Sequence, residues 1–67
     1  MRNPNRIRPF CDRLAELWEQ NVPDWRFGQL CDNLFREMAK TGKDHFFVED
    51  DKMMDFIENY FEGLKKT

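Results

Sequence analysis

Apolar residues recur along this chain at alternating intervals of three and four, in three separate series. Ile7, Phe10, Cys11, Leu14, Leu17 and Trp18 form the first. Phe27, Leu30, Cys31, Leu34, Phe35 and Met38 form the second, and Met53, Phe56, Ile57, Tyr60, Phe61 and Leu64 the third. With 3.6 residues per turn, such spacing lays each series along one face of a helix. The pattern predicts an all-α fold over residues 1–67, a single small three-helix domain built as an antiparallel helical hairpin plus a third packing helix.

Capping and breaking residues set the expected boundaries. Asn3-Pro4 reads as an N-cap followed by the proline that a first helical position tolerates, and Pro9 predicts a first turn that is kinked or loose up to Arg8. Pro23 stops the first helix near Asn21, and Asp24 is the expected N-cap of a second helix starting at Trp25. Thr41-Gly42 ends that helix, with Lys40 and Lys43 near the negative end of its dipole. Glu49-Asp50-Asp51 concentrates acid at the amino end of the third helix, with Val48 available as a hydrophobic staple, and Gly63 and the Lys65-Lys66-Thr67 tail end it. The connection His45-Phe46-Phe47-Val48 is too apolar for a free loop. It predicts Phe46 or Phe47 laid across the open end of the hairpin, with room for a short extended segment at 45–48.

Composition sharpens this picture. Sixty-seven residues are near the lower limit for an autonomous core, yet seven Phe, two Trp and one Tyr give a large apolar payload. A chain this short cannot hide all of it, which suits a monomer with a weak tendency to form a homodimer, or a surface completed by another protein. The net charge of −2 argues against a general nucleic-acid binder. The amino end is nevertheless slightly basic, and Arg2, Arg6, Arg8, Arg13 and Arg26 gathered on one face would favour the alternative of a nucleic-acid-associated regulator. No apolar run approaches the ~20 residues of a membrane span and no signal segment is evident, so no membrane role and a cytoplasmic address are expected. Cys11 and Cys31 lie within helical apolar patterns and form no CxxC pair, which predicts buried thiols.

Two local rules are broken in the turn between the first two helices. Gly28 stands inside the second helix, where it costs about 1 kcal/mol relative to Ala, so a close approach by another backbone or by a partner is expected there. Arg26 places a cation at the positive end of a helix dipole and asks for compensation, either a bridge to Glu19 or the acidic start of the third helix, or an acidic partner. Trp25, Arg26, Gly28, Gln29 and Asn33 are therefore the candidate binding residues. Asp44, His45, Glu49, Asp50 and Asp51 offer metal-type ligands, but without the glycine and ligand alternation of a calcium loop or a second His or Cys for zinc, helix capping accounts for them better. A lone His, no activated nucleophile and no phosphate loop leave no catalytic residue and no cofactor to assign.

The segments MRNPNRI, PDWRFGQL and FFVEDD resemble a group of short, uncharacterised bacterial and phage proteins with the pattern MRxPxRI, PDxRxGQL and DxFxxED. Asp44-His45-Phe46 stands here in place of the usual Asp-Pro-Phe. The resemblance spans most of the chain and implies a bacterial or phage cytosolic origin. It implies no activity. A non-enzymatic protein-interaction module is the expected function.

Overall fold

The structure is a computed structural model that describes residues 2–65; Met1 and the expected tail Lys66-Thr67 lie outside the described residues. Three helices carry the fold, with no strand among the described residues: α1 (Ile7–Asn21), α2 (Phe27–Lys40) and α3 (Asp50–Lys65). Short 3-10 turns precede α1 (Pro4–Arg6) and α3 (His45–Phe47). The all-α, three-helix architecture is the one that the periodicity predicts.

Leu17 of α1, Leu30 and Leu34 of α2, and Ile57 and Phe61 of α3 form the buried centre, with one or two residues from each apolar stripe. Phe10, Leu14, Trp18, Phe35, Met53 and Phe56 are among those packed around it. Each buried Leu, Ile or Phe contributes on the order of 1.5–3 kcal/mol by leaving water. The backbone of α3 comes within 8 Å of both α1 and α2, so the third helix joins the other two.

Helices α1 and α3 run in the same direction. Arg6 pairs with Asp50 at 2.7 Å and Arg13 with Glu58 at 2.9 Å, so partners advance together along both helices. Arg2 adds a third pair, to Glu49, before α1 begins.

Several boundaries follow expectation. Asn3 accepts from the Asn5 amide at 2.9 Å and caps the first 3-10 turn; Pro9 then falls in the first turn of α1, where its missing N–H has no intrahelical partner to lose. Gly42 ends α2 with φ +82°, the left-handed geometry that glycine adopts without strain.

Other expectations are corrected. Helix α2 begins at Phe27, not Trp25, and its N-cap is Arg26, not Asp24. The Trp25 amide donates to the Val22 carbonyl at 3.0 Å, which closes a tight turn around Pro23-Asp24 and leaves Asp24 exposed outside the helix. Within the segment at 45–48, His45–Phe47 form a 3-10 turn flanked by extended Asp44 and Val48, and neither Phe46 nor Phe47 covers the core. Cys11 is exposed rather than buried. It lies about 120° around α1 from Leu17, at the edge of the stripe that α3 covers. Gly63 does not stop α3, which continues to Lys65.

Candidate functional site

The turn before α3 presents the most conspicuous apolar surface. Asp44 caps it twice, its side chain accepting from the Phe46 amide at 3.0 Å and its carbonyl from the Phe47 amide at 3.1 Å. His45 lies flat on Phe35 of α2, with ring centroids 4.1 Å apart and planes 10° apart, which fastens the turn to the body. Phe46 and Phe47 then project outward. Their rings meet edge to face at 5.0 Å, and they remain 79% and 76% exposed.

The two rings form part of the wall of a cleft of about 430 Å³, which Val48, Arg2 and Arg6 complete. Its rim is electrically balanced. Arg2 donates to both carboxylate oxygens of Glu49, at 2.9 and 2.6 Å, and Arg6 pairs with Asp50. The hydrogen bonds from Arg2, and after them its charge, hold the Glu49 carboxyl below the ordinary glutamate range. The same contacts push the Arg2 guanidinium further up. Exposed aromatic anchors ringed by polar groups are the anatomy of a protein-recognition surface.

A second depression, of about 460 Å³, lies between Glu37 of α2 and its C-cap Thr41 on one side and Phe56, Tyr60 and Gly63 of α3 on the other. Its aromatic walls are already half-buried and stacked on one another at 6.5 Å, so less apolar area is left there for a partner to cover. Burial, then the charge of Glu37, pushes the Tyr60 hydroxyl up. Burial alone does the same to the Cys31 thiol.

The five residues singled out in the sequence lie on the turn into α2 and its first two turns. Trp25 is half-buried, and its carbonyl accepts from the Trp18 indole at 3.1 Å. Gln29 is occupied as a cap, its side-chain oxygen accepting from the Arg26 amide at 2.8 Å. Because an Arg side chain has no acceptor, this is half of a capping box and not a reciprocal one. Asn33 is half-buried one turn further on. Around Gly28, an added Cβ would meet no atom within 4 Å, so the expected close approach does not occur. Arg26 is exposed and makes no ion pair among the described residues, so neither expected bridge forms. Beside it, Phe27 is 61% exposed, with its ring 6.1 Å from Trp18.

The arginines do not make one free basic face. Arg2, Arg6 and Arg13 are all engaged by carboxylates along the seam with α3, and Arg26 lies at the start of another helix. The acidic residues near the turn are similarly committed, Asp44 to the turn, Glu49 to Arg2 and Asp50 to Arg6. The apolar character of this segment predicts Phe46 or Phe47 laid across the open end of the hairpin, and both are exposed instead. The signal against that expectation was present, since Phe46-Phe47-Val48 continues none of the three- and four-residue stripes.

Among the described residues, no helix is long and apolar enough to cross a membrane. Comparison of the chain with known protein families, with curated proteins and with solved structures finds no match.

Proposed function

We propose that this chain is a non-enzymatic protein-interaction module that recognises its partner through Phe46 and Phe47. The observation that carries this reading is their joint exposure on a turn already ordered by Asp44 and His45. Two rings held in place lose little conformational freedom on binding, so more of their burial appears as affinity. Commitment of Arg2, Arg6 and Arg13 to carboxylates supports a protein partner over nucleic acid, because phosphates would have to displace those acids. The resemblance of MRNPNRI, PDWRFGQL and FFVEDD to short bacterial and phage proteins supports a bacterial or phage cytoplasm as the setting.

Replacing Phe46 by a photoreactive phenylalanine analogue in the source cell tests the reading. A discrete set of protein adducts from position 46, absent from the exposed position Glu62, is the expected result. Adducts no different from those at Glu62, or submicromolar binding to duplex DNA at physiological salt, would overturn it.

A further inference from the structure

We infer that residues 2–6 form an ionic strap, closed against the start of α3 by the pairs Arg2–Glu49 and Arg6–Asp50 and released as one unit when those pairs are screened. Apolar burial does little to hold this segment: residues 2–9 are all exposed, and the 3-10 turn Pro4–Arg6 buries no residue. Its shape, by contrast, is its own. The Asn3 side chain accepts from the Asn5 amide, the Arg6 amide donates to the Asn3 carbonyl at 3.2 Å, and Pro4 fixes the backbone between them. A hinge follows directly. Pro9 has no N–H to offer the Asn5 carbonyl, so the helical ladder is interrupted between this turn and α1. Beyond the hinge, Phe10, Leu14 and Leu17 hold α1 to the core, and Arg13 pairs with Glu58. The strap can therefore swing while α1 stays in place.

The strap governs the face that carries the exposed rings, whatever that face binds. Closed, Arg2 and Arg6 complete the cleft walled by Phe46, Phe47 and Val48, and they neutralise Glu49 and Asp50. Open, the strap takes its part of the wall away and leaves Glu49 and Asp50 unneutralised beside Asp51, with Lys52 the one cation in the first turn of α3. One movement thus changes both the width of the cleft and its charge. The restraint on that movement is light. Side chains of Arg2 and Glu49 are 63% and 57% exposed, those of Arg6 and Asp50 39% and 44%. Pairs so open to water each shift an equilibrium only a few-fold, so the closed form outweighs the open one by a factor on the order of ten.

Backbone amide order measured by heteronuclear NOE, read at Asn3, Asn5 and Arg6 against Leu17 of α1, tests the inference. In about 0.05 M salt the three strap amides should be nearly as ordered as Leu17. By about 1 M salt, where the screening length is roughly 3 Å, they should fall together towards the values of a free chain end while Leu17 does not move. The Arg2→Gln, Arg6→Gln double variant should show the released values already in low salt, again with Leu17 unmoved. Strap amides that are loose in the unaltered chain at low salt, or that stay ordered in the double variant, overturn the inference. Loosening of Asn3 without Asn5 and Arg6 does so too, because the segment then frays instead of moving as a unit. Should the double variant lose its helical signal, the salt series on the unaltered chain decides alone, and strap amides unchanged up to about 1 M overturn the inference. None of these outcomes depends on what Phe46 and Phe47 bind, so the adducts from position 46 remain a separate test.

Discussion

The indole N–H of Trp18 donates to the backbone carbonyl of Trp25 at 3.1 Å, tying the last turn of α1 to the residues that lead into α2. This bond, not the Asp24 carboxylate, fixes the connection. Trp18→Phe keeps most of the ring but leaves the half-buried carbonyl without its donor, at an expected cost of about 1 kcal/mol. In a domain of this size that is a fall of roughly 4–8 °C in melting temperature. Asp24→Ala should change it little, because Asp24 caps nothing; a loss as large as that of Trp18→Phe would contradict the assigned N-cap.

Gly28 offers a test with an informative sign. Open space surrounds its missing Cβ, so Gly28→Ala should stabilise α2 by up to about 1 kcal/mol through reduced chain entropy in the unfolded state. Urea denaturation would register this as a higher midpoint with an unchanged slope. A lower midpoint would mean that another segment rests against this position.

The two kinds of phenylalanine should separate cleanly. Phe61 is 1% exposed at the centre of the core, and Phe61→Ala should cost about 3–5 kcal/mol, enough to leave a small domain largely unfolded by circular dichroism. For Phe46→Ala the helical signal and melting temperature should stay as they are. A large destabilisation by the second substitution would place Phe46 in the core after all.

The Arg2–Glu49 pair predicts a pH response. Because the folded-state Glu49 carboxyl titrates lower than in the unfolded chain, its contribution is present above the unfolded value and is lost as pH falls through the folded one. Carboxyl-carbon NMR should find the Glu49 midpoint below the ordinary glutamate range, and Arg2→Ala should return it upward. High salt should do the same in part, since the pair is exposed. A midpoint that ignores both changes would show that the pair does not persist in solution.

The stripes made the helices legible from sequence, because core burial and helical period act on the same residues. Asn3, Gly42 and Glu49-Asp50-Asp51 marked boundaries well, each through local backbone chemistry. Failures came where a local rule met a longer-range contact. Asp24 has the right chemistry for an N-cap, but the bonds from Trp25 to Val22 and from Trp18 to Trp25 hold it two residues too early. Cys11 fits the apolar spacing, but α3 covers only part of the stripe. Phe46 and Phe47 misled most, since apolar character alone does not distinguish a buried residue from an exposed one. The candidate site was thus placed at the turn into α2, while the ordered exposed rings lie on the turn into α3.

The parallel course of α1 and α3 sets two like poles side by side, so that at their amino ends the partial positive charges of both helices add instead of cancelling. Helix α1 has no acidic residue in its own first turn. Glu49, Asp50 and Asp51 stand at the neighbouring pole, and the first two are bonded through Arg2 and Arg6 to the segment from which α1 starts. An acidic run that looks like the cap of one helix therefore balances two, and removing it would unsettle α1 as well as α3.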